Sequence, residues 1–131
     1  MVMGDMNDDP DKASMAKCLG AKRKMKDVGD GDFYNPWWDI LRSKGQGTLS
    51  SQGGWNLFDQ IVCSRNMLDI DGKKLYKELT LYGNHIFKRD YLLQQEGKYK
   101  GTPKRTHAGG VWLNGFSDHL PTVTYIVKET P

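Results

Sequence analysis

The sequence predicts a mixed chain of the α/β (α+β) class whose strands are mostly antiparallel. Three observations carry that expectation. Residues 121–127, ProThrValThrTyrIleVal, alternate and are β-branched, the pattern of a half-buried strand. Residues 47–64 place ThrLeuSerSer and TrpAsnLeuPheAspGlnIleValCysSer on either side of a GlnGlyGly turn, which reads as a hairpin. Asn35-Pro36, followed by Trp37, Trp38, Ile40 and Leu41, combines a capping side chain, a proline at the first helical position and apolar residues at helical spacing.

In chain order, Val2-Met3 before Gly4-Asp5 reads as the end of a buried strand running into a loop. Strands usually have about five or six residues, so this one is expected to begin before Met1. Residues 11–26 hold good helix formers, with Met15, Leu19 and Met25 toward one side and Gly20 as a weak point, and predict a helix. Residues 27–32 are a polar turn, and the helix opened by Asn35-Pro36 should stop at Gly45. After the hairpin, residues 69–73 are a turn, while 75–93 mix apolar and basic positions without a clear period. The Gly- and Lys-rich residues 97–110 read as a long surface loop, a kind of segment that tends to be functional. The strand at 121–127 closes the chain.

A length of 131 residues bounds the chain to one domain, or one half of a larger one. Apolar residues at 37% and charged residues at 27% exclude a disordered chain, and the absence of about 18 consecutive apolar residues excludes a spanning helix. No signal peptide follows Met1, which leaves the compartment open if the natural start lies upstream. The net charge of +3 is too small to hold nucleic acid by charge alone. Basic residues bunch at 22–26, at 73–77, and at Lys98, Lys100, Lys104 and Arg105, as solvated faces or as phosphate-steering patches. Cys18 and Cys63 form no CxxC pair, so neither a disulfide framework nor a zinc site is indicated, and Cys63 fits a buried core position.

The chemistry concentrates in three stretches: Gly4-Asp5-Met6-Asn7-Asp8-Asp9-Pro10, Phe58-Asp59-Gln60-Ile61 and Ser117-Asp118-His119-Leu120-Pro121. Asp5 and Asn7, two residues apart at a strand end, should project to one side, where a carboxylate takes a proton from water and an amide binds a substrate oxygen. A turn in which these side chains only cap backbone groups fits the same residues. A calcium loop does not, because Pro10 stands where glycine is needed and Ala16 where glutamate is needed. Asp59, a charge inside an apolar run, needs a partner, and His119 is the natural one.

GlyAspMetAsn resembles the Gly-Asp-(apolar)-Asn motif of the endonuclease/exonuclease/phosphatase superfamily. LeuPheAspGlnIleValCysSer resembles its Ile-Asp-Tyr-Ile-type strand, and SerAspHisLeuPro resembles its Ser-Asp-His-x-Pro motif. All three occur in the family's order. The resemblance implies the C-terminal half of a two-sheet, four-layer α/β sandwich occupying residues 1–131, with the N-terminal half expected in the same chain. It implies a metal-dependent phosphoester hydrolase working by in-line attack of activated water on phosphorus. Asp5 would orient or deprotonate the water, Asn7 would support it, and Asp59 would hold His119 against the scissile phosphate. Asp118 and Asp5 would lie at the metal, Mg²⁺ or Mn²⁺, to which hard oxygen ligands are suited.

Met6 and Gln60 depart from the family's usual Phe and Tyr. The family's metal-binding Glu, early Asn and second His would come from the preceding half, so activity is expected of the full-length protein and not of residues 1–131 alone. The implied partner is a phosphoester, with nucleic acid, inositol phosphate and phospholipid headgroup all open. The rival reading is a non-catalytic binding half-domain. A half-sandwich is also expected to expose a sheet face carrying Trp55, Leu57, Ile61, Tyr125 and Val127, and so to favour dimers.

Overall fold

A computed structural model describes residues 1–131. In chain order its elements are β1 (Val2–Asp5), β2 (Ala21–Lys22), β3 (Phe33–Tyr34), α1 (Trp37–Arg42), β4 (Leu49–Ser51), β5 (Gly54–Asn56), β6 (Asp59–Ser64), β7 (Thr80–Ile86), β8 (His107–Ala108), β9 (Val111–Trp112) and β10 (Thr122–Val127). The chain is therefore a strand-rich mixed α/β domain with little helix. One sheet has the order β1-β6-β3-β2, and β10-β7, β4-β5 and β8-β9 form three separate pairs. Every pairing is antiparallel except β2 with β3.

The apolar run at 59–64 organises the molecule because both of its faces find cover. Val62 packs with Met15 and Ala21 on one side, while Ile61 packs against the cluster of Trp37, Ile40, Leu41 and Leu57 on the other. Helix α1 forms where the sequence predicts it: Asn35 Oδ1 accepts from Trp37 N–H at 3.2 Å, and the apolar stripe turns inward. Gly45, at φ 65°, ends it by turning Gly45 N–H back to the Leu41 carbonyl at 3.0 Å. Trp37 is fully buried and donates through Nε1 to the Ile61 carbonyl at 2.9 Å, which ties α1 to β6.

Several expectations need correction. Strand β1 is exposed along its length rather than buried, because its outer edge and faces find no cover. Residues 11–26 do not form one helix. They hold one wide turn at Ser14–Cys18, closed by Leu19 N–H on the Ser14 carbonyl, break at Gly20, φ 72°, and end in a 3₁₀ turn at Met25–Asp27. Pairing of β2 with β3 captures Ala21 and Lys22, so tertiary contact overrides the local helix preference. The second strand of the hairpin is cut into β5 and β6 at Leu57-Phe58, because side chains take the Leu57 backbone groups. Asp9 Oδ1 accepts its N–H at 2.8 Å and Gln60 Nε2 donates to its carbonyl at 2.9 Å. The 97–110 stretch is not loop throughout, since its end enters the small β8–β9 hairpin.

The face expected to be exposed is largely covered. Leu57 is fully buried and Trp55, Ile61 and Val127 are half-buried, leaving Tyr125 as its exposed member. Residues 75–93, which had no clear period, resolve into β7 and a 3₁₀ turn at Asp90–Leu92. Strand β10 appears where predicted and pairs with β7, with a bulge between Tyr125 and Ile126. No helix is long and apolar enough to cross a membrane.

Candidate active site

The register of β1 on β6 sets Asp5 directly opposite Asp59. Both lie at strand ends, where the chain leaves the sheet and side chains are free to converge. His119 arrives from 60 residues away and places Nδ1 at 2.8 Å from Asp59 Oδ2. A carboxylate only accepts, so Nδ1 carries the hydrogen and Nε2 is left to face a ligand. Ligand atoms of Asp5, Asp59 and His119 lie within 4.8 Å of one another. Asp5 is exposed, while the Asp59 and His119 side chains retain about a fifth of their exposure, 22% and 21%.

Thr48, which the sequence reading passed over, makes this pairing rigid. Its hydroxyl donates to the same Asp59 Oδ2 at 2.5 Å, and its carbonyl accepts from Leu120 N–H, next to His119, at 2.7 Å. Its own N–H donates to the Asn56 carbonyl at 2.8 Å. One buried residue thus locates both members of the Asp–His pair. Gly47 is what lets Thr48 approach: a Cβ there would collide with the Asn56 carbonyl and lie 2.8 Å from Trp55 Cβ. The sequence signal was an unremarkable Gly-Thr before a strand.

The Asp5–Asn7 stretch is not extended through Asn7. Strand β1 ends at Asp5, and Asn7 adopts φ 55° with its N–H donated to Asp5 Oδ1 at 2.9 Å. The pair is therefore an Asx turn, and strand alternation does not account for its geometry. The turn is anchored by Asp9, which is buried and accepts from both Leu57 N–H and Asn56 Nδ2 at 2.8 Å. Gln60, also fully buried, donates to the Asp8 carbonyl at 2.7 Å and accepts from Asn35 Nδ2 at 2.8 Å. A polar residue inside an apolar run was the signal for Gln60, as it was for Asp59.

Asp118 is exposed and stands outside the Asp5–Asp59–His119 cluster. It lines the edge of a neighbouring cleft of about 860 Å³, between the β4–β5 turn and residues 94–113. Cys63 is buried, and desolvation pushes its thiol up from the ordinary value, so it serves the core rather than the chemistry.

An Asp-oriented histidine beside a second carboxylate, reached from three distant stretches, is an arrangement suited to a phosphoryl centre. A family model described as the Endonuclease/Exonuclease/phosphatase family matches residues 1–128. The chain belongs to that family. No curated protein and no solved structure gives a significant match. Endonuclease/exonuclease/phosphatase proteins are hydrolases of phosphoesters and generally use divalent metals. The residues here fit such an ion: Asp5 Oδ2 and Asp59 Oδ1 accept no hydrogen bond, and a hard cation is suited by one or two carboxylates with water completing its shell.

Proposed function

We propose that this chain carries the hydrolytic residues of a metal-dependent phosphoester hydrolase that cleaves by in-line attack of water. The observation that supports the reading most directly is the Asp59–His119 contact beside Asp5, in stretches that resemble the family's motifs. Asp5 orients the water and takes its proton as the new P–O bond forms. Asn7, held by its turn on Asp5, supports the water and a phosphate oxygen. His119 donates from Nε2 to a non-bridging oxygen, where charge accumulates, and Asp59 keeps the ring aimed and stabilises its protonated form. The P–O bond to the leaving group breaks opposite the water, and that oxygen is protonated from solvent.

Asp5 would hold Mg²⁺ or Mn²⁺ beside Asp59 Oδ1, while Asp118, the other residue that the resemblance assigns to the metal, lies outside this cluster. When bound, the ion would neutralise charge on the phosphate. We further infer that the β1-β6-β3-β2 sheet and the β7–β10 pair belong to the two sheets of a four-layer sandwich. That inference draws on the contact between β10 and β6.

The test is release of p-nitrophenol from bis(p-nitrophenyl) phosphate by the full-length protein with Mg²⁺, with Mn²⁺ and with EDTA. Metal-dependent release that disappears in Asp5→Asn is expected, along with weaker Mn²⁺ binding by that variant in calorimetry. Absence of release with either ion, in a folded sample, would overturn the hydrolase reading and favour a binding module.

A further inference from the structure

We propose that the cleft between the β4–β5 turn and residues 94–113 binds single-stranded nucleic acid, with Lys98 and Arg105 taking backbone phosphates and Tyr99 stacking a base. This names the substrate class of the site described above and rests on the phosphoester-hydrolase reading.

Charge points there first. Residues 97–116 contain Lys98, Lys100, Lys104 and Arg105 and no acidic residue, so this stretch alone carries +4 against +3 for the whole chain. None of the four forms an ion pair, although pairs occur elsewhere on the surface. A solvated face normally intersperses both signs; here Asp118, at the edge next to His119, is the one carboxylate lining the cleft, and the positive wall formed by Lys98 and Arg105 attracts a polyanion.

Aromatic groups choose among polyanions. Tyr99 lines the cleft, is 63% exposed, and has the Lys98 ammonium 5.5 Å from its ring centroid. Trp55 lines the opposite wall. An inositol phosphate offers no planar face to either ring, and a duplex keeps its base faces stacked inside. Of these three, only an unstacked strand presents phosphates and base faces together. The cleft volume of about 860 Å³ accommodates a group of nucleotide size.

The wall is built rather than loose. Gln94 N–H donates to the Thr102 carbonyl at 2.8 Å, Gly101 N–H to the Gln94 carbonyl at 2.9 Å, and Lys104 N–H to the Leu92 carbonyl at 2.8 Å. Leu113 N–H returns to the Thr106 carbonyl at 2.8 Å, and Gly115 packs so closely on the Lys104 carbonyl that no side chain fits. The cation-bearing backbone is thus held in place before any ligand arrives, which lowers the ordering cost of binding. Asp118, at the edge of the same cleft, connects it to His119.

The test is fluorescence anisotropy of the full chain with fluorescein-labelled single strands of DNA and of RNA of about 12 nucleotides, in EDTA. The DNA duplex of the same sequence and inositol hexakisphosphate serve as competitors. The single strand should bind at least about tenfold more tightly than the duplex. Lys98→Ala with Arg105→Ala should weaken it about tenfold or more and flatten the salt slope by about 1.4, the loss of two phosphate contacts. Tyr99→Ala should weaken it about fivefold or more with the slope unchanged, and Lys24→Ala with Lys26→Ala, on the distant basic cluster, should change nothing. Equal affinity for duplex, displacement by stoichiometric inositol hexakisphosphate, or insensitivity to the Lys98 and Arg105 changes would overturn the proposal. Strand binding without release of p-nitrophenol from the small diester removes the hydrolase reading alone. Release without strand binding removes this proposal alone.

Discussion

Asp59 Oδ2 sits 2.8 Å from His119 Nδ1 and accepts from Thr48 Oγ1 at 2.5 Å, so a single carboxylate oxygen joins the 48–64 hairpin region to the closing segment. A half-buried carboxylate with two donors on one oxygen is held in a single orientation, and the imidazole inherits it. The proposed chemistry and the fold meet at this atom, and substitutions around it separate the two.

His119→Ala should lower turnover of bis(p-nitrophenyl) phosphate about a thousandfold with an unchanged circular dichroism spectrum, because the ring is part of the site and not of the core. Asp59→Asn should cost somewhat less. The double variant should be no worse than His119→Ala, since the carboxylate acts through the ring. Additive losses in steady-state kinetics would show that Asp59 works independently of His119.

Thr48→Val removes one hydroxyl at constant shape. It should lower turnover roughly tenfold, leave KM nearly unchanged, and cost about 1 kcal/mol in urea unfolding. Thr48→Ser should restore the turnover. If Val and Ser behave alike, the hydroxyl has no part in positioning the pair.

Gln60→Leu is expected to be the more damaging change to the fold. It strips Asn35 Nδ2 and the Asp8 and Leu57 carbonyls of their buried partner and should destabilise the domain by roughly 3 kcal/mol. Because the 5–9 turn hangs on that contact, activity of the folded fraction should fall too. A urea midpoint equal to the parent's would contradict this account of the turn.

Arg42 grips Asp11 through two hydrogen bonds of 2.9 Å, and the guanidinium holds the Asp11 carboxyl below its ordinary value of 3.8. A depressed carboxylate stabilises fully above its unfolded pKa and loses that contribution as pH falls through the folded one. The Arg42 side chain is 42% exposed, so solvent screening limits the effect. Arg42→Ala should cost about 0.5–1 kcal/mol at neutral pH. The two proteins should converge in urea midpoint as pH falls well below 3.8, the ordinary Asp11 value. A gap that persists in acid would point to packing of the arginine stem instead.

Much of this was legible in the sequence, and the reasons are local. The β10 alternation, the Asn35-Pro36 helix start and the hairpin turn act over a few residues, so composition and spacing reveal them. Asp59 announced itself as a charged group in an apolar run, since burial obliges such a group to find a partner, whereas the buried role of Gln60 went unread. The three motifs that mark the family are likewise short and contiguous. What the sequence could not decide depends on contacts between distant segments. The 11–26 helix yields to a strand because β3 is there to pair with it. The second hairpin strand is cut because Asp9, 48 residues from Leu57, reaches its N–H. Thr48 enters the site only because Gly47 lets two backbones touch. Local preference is worth tenths of a kcal/mol per residue, whereas a satisfied buried polar contact or a ladder is worth more, so the tertiary structure prevails where they conflict.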